Sequence, residues 1–454
     1  MEVKMANVIK SIEEFGGSVH AADNAPAFAA AKAFFTESGG GVLRVGAGVW
    51  NTAPIELCSG MTLQLDEGAV LSFIPQFELY RPVKTRWEGV CCWAMHPCLF
   101  VSNAHDVSIT GSGVLDGNGR LWWDAVPVKR QQTGPVDPIE KELASLNPDY
   151  KTHASGGGGR ISQFLRPSLL QFYECTDVHV SGITLRNSPC WTFHPVFCDR
   201  LTVEGMHVCN PSDSPNTDGM DIDSCTNVLV KDCRISVGDD GICIKSGSGP
   251  DGIRVNRPSD HITVTGCTVE KGHGGVVIGS ETAGGVHNVT VKDCVFNGTD
   301  RGIRIKTRRG RGGAISGLTF DGITITGCLC PITVNMFYRC GSKGTENELF
   351  SQQPLPVTDS TPSIRDVRIV NVHAEGCRAS AGFVAGLPES PVTGLSISDS
   401  TFSVAETDAA SPALAEMYAG VPDTDSKSFR IINADDPAFA GVNVQGVDEP
   451  FYYG

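Results

Sequence analysis

Apolar and polar residues alternate in short bursts that recur along most of the chain, and each burst runs into Gly, Asp or Asn. The phrases VSITGSGVLDG, VHVSGITLRNS, LTVEGMHVCN, VLVKDCRIS, ITVTGCTVE, VTVKDCVFN, LTFDGITIT, VRIVNVHAE and LSISDSTFS share this form from about residue 107 onward. Alternation with β-branched enrichment and a turn residue at the end predicts a short strand. From Val178 the phrases begin at residues 178, 201, 228, 262, 289, 318, 367 and 395, in steps of 23, 27, 34, 27, 29, 49 and 28. A unit of that length with two or three strands fits one coil of a parallel β-helix. Leucine-rich repeats have a similar period, but their Leu and Asn framework is absent.

Five residues past the phrase start stand Ile183, Met206, Cys233, Cys267, Cys294, Ile323 and Val372. Cysteine shares a column with aliphatics, so Cys233, Cys267 and Cys294 are expected as a buried internal stack rather than a metal or redox site. Near the N-terminus, Asn24 and Pro26 open AFAAAKAFFTESGGG, with Phe28, Ala31 and Phe35 on one face and Gly39 as the stop. This predicts a helix that seals the open end of the solenoid. The expected organisation is all-β: one solenoid domain over 1–454, an N-terminal cap region at about 15–60, a long insertion at about 124–166, and a C-terminal cap or tail at about 400–454.

Composition narrows the function. Glycine makes up 52 of 454 residues, which suits many tight turns. A net charge of −15, from 36 basic and 51 acidic residues, argues against generic binding to nucleic acid or an anionic membrane. The odd count of 17 cysteines, with no CxxC pair, indicates neither a zinc site nor a complete disulfide framework. No 18-residue apolar run is present, and MEVKMANVIKSIEEF does not read as a secretory leader, so a cytoplasmic location is expected.

A second strand follows each phrase and opens on glycine: NTD-Gly219-MDID, GDD-Gly241-ICIK, GHG-Gly275-VVIG and TDR-Gly302-IRIK. Aligned on that glycine, one column reads Asp218, Asp240, Gly274, Arg301, and the column before it reads Thr217, Asp239, His273, Asp300. Two residues after it come Asp221, Cys243, Val277 and Arg304; four after it come Asp223, Lys245, Gly279 and Lys306. Coils stack about 4.8 Å apart, so three carboxylates, a histidine and cations are expected on one patch. Close carboxylates raise at least one carboxyl pKa, and a protonated acid beside an ionised base is the division of labour of a glycosidase.

NTDGMD at 216–221, GDDGICIKSG at 238–247, GHGG at 272–275 and RIK at 304–306 closely resemble the four signature motifs of glycoside hydrolase family 28, the polygalacturonases. GGGVLRVGAGVW, GVLDGNG and RPSLLQFYEC extend the likeness, most of all to bacterial members, over most of residues 15–400. The resemblance implies a right-handed β-helix and cofactor-free, metal-free, inverting hydrolysis of α-1,4 bonds between galacturonates. Carried over, Asp239 is the general acid, Asp218 and Asp240 hold and deprotonate the water, and His273 tunes the acid. Arg304 and Lys306 bind substrate carboxylates and Tyr338 contacts substrate, with Asn216, Lys245, Arg301 and Arg160 as further substrate contacts.

The expected partner is oligo- or polygalacturonate, a polyanion that the basic run Arg301 to Arg311 would attract; self-association stays open. Residues 77–97 and 124–166 resemble the loops of exo-acting members, which predicts release of galacturonate from the non-reducing end. Arg81, Arg86, Arg160 and Arg166 are candidates for holding the terminal sugar. Endo cleavage, a rhamnogalacturonan or xylogalacturonan substrate, a calcium-dependent lyase of the same coil, and a non-catalytic polysaccharide-binding solenoid are the alternatives. An RNA-binding tract at RGRGG is a remote one.

Overall fold

In every coil the residue just before the strand phrase turns left-handed: Asp177, Arg200, Asn227, His261, Asn288, Gly317, Asp366 and Gly394 all have φ between 51° and 68°. A second left-handed position follows inside the phrase, at Gly182, Gly205, Asp232, Gly266, Asp293, Gly322, Asn371 and Asp399. Glycine, Asn and Asp adopt this conformation at least cost and fill these corners except at Arg200 and His261. The computed structural model describes residues 8–152, 159–342, 346–406 and 410–454. Residues 1–7 of the stretch read for a leader, and most of the GGGG run in the insertion, lie outside these.

The chain winds as a right-handed parallel β-helix, the hand that parallel crossovers favour. One wall is a twelve-stranded sheet running from Ile55–Glu56 to Phe451–Tyr453; the others merge into a 22-stranded sheet through the long Ala314–Thr326 strand. The glycine alignment is the register of the first wall: Met220 pairs with Ile242, Ile242 with Val276, and Val276 with Ile303. Inside the coil Cys233, Cys267 and Cys294 are 1% exposed and unpaired, within an apolar core. A second thiol column, Cys175, Cys198 and Cys225, three residues before the phrase starts, was there to be found in CTDV, CDRL and CTNV.

The predicted cap is the Ala25–Ser38 helix, burying Phe28, Ala31 and Phe35 and ending at left-handed Gly39. Asn24 does not cap it through its side chain; it ties Ser18 to Asn51 instead. Residues 400–454 are less of a tail than expected, since strands continue through Phe429–Ile432, Ala438–Gln445 and Phe451–Tyr453. No helix among the described residues is long and apolar enough to cross a membrane.

Two excursions leave the coil. Pro82–Trp87 and Val90–Met95 form an antiparallel hairpin. The insertion folds into the helices Arg120–Gln131 and Pro138–Leu146. Trp122, fully buried, packs on the segment that leads into the hairpin, 4.5 Å from the Phe77 ring and 4.9 Å from Tyr80. Asn147 clamps the hairpin through Trp93, accepting from its N–H at 2.9 Å and donating to its C=O at 2.8 Å.

Candidate active site

The column glycines are demanded by space. A Cβ on Gly219 would lie 2.5 Å from the Gly241 carbonyl, and one on Gly275 would lie 2.5 Å from the Phe296 ring. The turn before each strand is thereby pressed against the next coil, with Gly219 N–H donating to the Asp240 carbonyl and His273 N–H to that of Asp239. Asp218, Asp239 and Asp240 consequently line one cavity. Its other lining residues include Trp191, Asn216, Lys245, Glu281, Lys306, Arg311 and Tyr338, with Glu88 from the hairpin tip.

Asp240 is fully buried and receives Arg304 Nη1 at 2.7 Å and Lys306 Nζ at 2.5 Å, one on each oxygen. Burial acts to raise its pKa, but Lys306 and Arg304 outweigh burial and hold it far below the ordinary carboxyl value. Asp218, 4% exposed, has no such cation: burial, then the charges of Asp221 and Asp239, raise its pKa well above normal. Asp221 is raised by burial too, despite Lys245 at 3.5 Å.

Asp239 sits at the open edge with its side chain 22% exposed, and Nδ1 of half-exposed His273 stands 3.3 Å from its Oδ1. Burial pushes the Asp239 pKa up, the His273 contact pulls it down, and the net direction is down. The same hydrogen bond raises His273. Here the structure departs from the sequence reading, which put a retained carboxyl proton on Asp239. The shared contact lowers Asp239 and raises His273, and the carboxyls that burial pushes up are Asp218 and Asp221.

The cations also sort differently from expectation. Lys306 reaches the cavity, but Arg304, 3% exposed, is spent on Asp240 and on Met417 Sδ at 3.0 Å, with the Tyr338 ring 5.4 Å from its guanidinium. Arg301 donates to the Ala415 carbonyl at 2.5 Å and faces the His273 carbonyl and Asp300, so it braces the turn instead of lining the cavity. Arg309 grips Glu389 with two hydrogen bonds of 2.6 and 2.7 Å. Lys245 lines the cavity, 4.6 Å from the Trp191 ring and 2.9 Å from Glu281.

Of the terminal-sugar candidates, none lines this cavity among the described residues. Arg160 is buried, donates to the Trp87 carbonyl and lines a separate cavity behind the hairpin. Arg86 is ion-paired with Asp223 at 2.8 Å, Arg166 holds Asn216 Oδ1 at 2.8 Å, and Arg81 is exposed beside Glu142. The reasoning from sequence missed Glu88, Trp191 and Glu281. Glu281 follows the GHGGVVIG strand by two residues and could have been found by extending the column; Glu88 and Trp191 carried no local signal.

Oxygens of Asp218 and Asp240 and the Cys243 sulfur lie within 4.8 Å of one another, close enough for a metal. The donor set does not suit one. Both Asp240 oxygens already face cations, and burial raises the Cys243 thiol well above its ordinary pKa, away from the thiolate a metal needs.

The sequence profile of the glycosyl hydrolases family 28 matches residues 155–407. A probable polygalacturonase of Vitis vinifera is 31% identical over 380 residues, 82% of this chain and 68% of that protein. An endo-polygalacturonase of Pectobacterium carotovorum is 28% identical over 308 residues, covering 64% and 66%. The chain spans about half the length of some plant relatives, among them a polygalacturonase of Juniperus ashei at 50%. In structure it is similar to a hyperthermoactive exopolygalacturonase of Thermotoga maritima, with 31% identity, a TM-score of 0.75 and 89% of each chain covered. A Yersinia enterocolitica family 28 exopolygalacturonase, at 17% identity and a TM-score of 0.71, shares the fold. With the signature motifs in register on consecutive coils, the chain belongs to glycoside hydrolase family 28.

Proposed function

We propose that this protein hydrolyses α-1,4 bonds between galacturonate units with inversion, removing single residues from the non-reducing end. The observation that carries the reading is the convergence of Asp218, Asp239 and Asp240 on one cavity, with His273 on Asp239 and two cations on Asp240. Asp239, at the accessible edge, protonates the departing glycosidic oxygen with the proton that its pair with His273 holds. Asp240, kept ionised, orients a water toward the anomeric carbon. Asp218, whose raised pKa makes it the stronger base once ionised, takes the water's proton as the new C–O bond forms. Lys306 meets a sugar carboxylate while the Tyr338 ring, 5.2 Å from its ammonium, forms a wall.

The exo mode is supported by the hairpin, whose tip residue Glu88 lines the cavity and which Asn147 of the insertion clamps, and by the likeness to the Thermotoga exopolygalacturonase. Time-resolved digestion of polygalacturonate and trigalacturonate, with the product anomer followed by NMR, tests both parts. Monomer as the only early product, slow viscosity loss and the β-anomer first are expected. Early mixed trimers and tetramers with rapid viscosity loss would establish endo cleavage, and the α-anomer first would refute inversion.

A further inference from the structure

Two arginines of the insertion, Arg130 and Arg166, converge on one amide. Asn216, in the turn before the Met220–Asp223 strand, is left-handed at φ 56° and lines the cavity of the three aspartates. Its Oδ1 accepts from Arg130 Nη2 at 3.2 Å, near the end of the Arg120–Gln131 helix, and from Arg166 Nη2 at 2.8 Å, where the chain rejoins the coil. Arg166 is 2% exposed, and its Nη1 donates to the carbonyls of Pro189 at 2.7 Å and Pro215 at 2.9 Å. Those carbonyls belong to the turns of two successive coils, so the guanidinium is anchored on one side and aimed at Asn216 on the other. Arginine suits the task because its planar fork offers several donors in fixed directions, whereas a lysine ammonium is a single point of charge.

An amide has an acceptor end and a donor end, and its neighbours decide which way it lies. A guanidinium can only donate, so Oδ1 faces both arginines; the flipped amide would set its own N–H groups against two cations and forfeit two charge-assisted hydrogen bonds. Nδ2 is thereby turned away from the arginines, and among the described residues nothing accepts from it. The cations that line the cavity are engaged, Lys306 on Asp240 and Lys245 and Arg311 on Glu281, so the Asn216 amide is the donor there that has no protein acceptor. Arg166 does not itself line the cavity, and its reach into the site runs through Asn216. We infer that Arg166 is a positioning residue, which fixes the Asn216 amide with its nitrogen toward the cavity, where that nitrogen donates to an oxygen of the bound galacturonate. Arg130 adds to the hold from the insertion helix.

This role rests on the galacturonan-hydrolase reading, and the experiment separates the two. A double-mutant cycle on the full chain compares kcat/KM on trigalacturonate for the wild type, Arg166→Met, Asn216→Ala and the two together. Asn216→Ala removes the donor and is expected to lower kcat/KM by about tenfold or more. Arg166→Met has similar bulk and no donor; it lets the amide turn and is expected to cost about as much. Combined, the changes should cost no more than about threefold beyond Asn216→Ala alone, because the amide that Arg166 orients is already gone. An arginine that only props up the turns would leave the two losses multiplied. Arg166→Lys, whose ammonium cannot hold all three oxygens, should lose part of the rate. It replaces Arg166→Met in the cycle if thermal melting shows that variant unfolded. Multiplied losses, or wild-type kcat/KM in the arginine variant, would overturn the positioning role and leave the hydrolase standing. No hydrolysis of trigalacturonate or polygalacturonate by the wild type would overturn the hydrolase reading, and this inference with it.

Discussion

Three aspartates of one residue type take three different electrostatic roles because their neighbours differ. Asp240 has two cations and no solvent, Asp218 has burial without a cation, and Asp239 has an edge position and His273. Replacing Asp239 by Asn keeps the shape and removes the proton donor, so kcat is expected to fall by about 10²–10⁴ with KM little changed. Activity close to wild type in steady-state assays would remove Asp239 from the chemistry. The pH dependence follows from the shifts. Asp218 must be ionised to act as base, so activity rises with pH through its raised pKa. The Asp239–His273 pair must keep its proton, so activity falls as pH passes the raised His273 pKa, above the ordinary value of about 6.5. In His273→Ala that proton has only a carboxyl to sit on. The alkaline limb of kcat/KM should therefore move down by more than about one unit, costing about tenfold or more at pH 7 but much less near pH 4.5. An unmoved alkaline limb would separate His273 from the proton.

At the scale of the element, the site is a consequence of register. Each short strand needs an inward apolar pair such as Met220 and Ile222, and a turn narrow enough to lie against the next coil. Gly275 illustrates the constraint, since Phe296 from the opposite wall occupies the place of its missing side chain. Gly275→Ala forces ring or backbone to shift and should destabilise by about 1–3 kcal/mol. Denaturant unfolding with an unchanged midpoint would show that the coil can breathe there. The glycine column and the strand phrases were legible from the chain because a solenoid repeats its local rules once per coil. Most of the left-handed corners were written there as Gly, Asn and Asp, with Arg200 and His261 the exceptions.

At the scale of the whole molecule, the hairpin excursion reaches the cavity through Glu88 and is itself held by the insertion. The helix Arg120–Gln131 is pinned through Trp122 to Phe77, Tyr80 and Phe164, and the hairpin in turn closes on the cavity. Trp122→Ala removes a buried indole worth about 3–5 kcal/mol. The loss should fall on the excursions, with protease cutting first between residues 120 and 150 while the β-sheet circular dichroism persists. Monomer release should then give way to longer products, and an unchanged product profile would detach the exo mode from these segments. The acidic balance of the chain also looks different at this scale. The cavity holds five carboxylates against Lys245, Lys306 and Arg311, so it is not the positive focus that the basic run suggested.

By itself the sequence determined the coil, its register and which residues share the aspartate column, because those depend on contacts repeated at a short, regular spacing. Cys267 inside the coil could be placed by counting from the start of its strand phrase, and Asp240 by counting from a glycine. The tertiary structure alone decided which cations reach the cavity, since Arg301, Arg304 and Arg309 are consumed by partners as distant in sequence as Ala415, Met417 and Glu389. It set the direction in which each carboxyl shifts, because burial and the partner of each carboxyl outweigh the mere adjacency of like charges. It also brought Glu88 into the cavity from a hairpin about 130 residues upstream of Asp218. No periodic pattern announces a contact of that kind; it exists only once the coil has given the hairpin a surface to rest on.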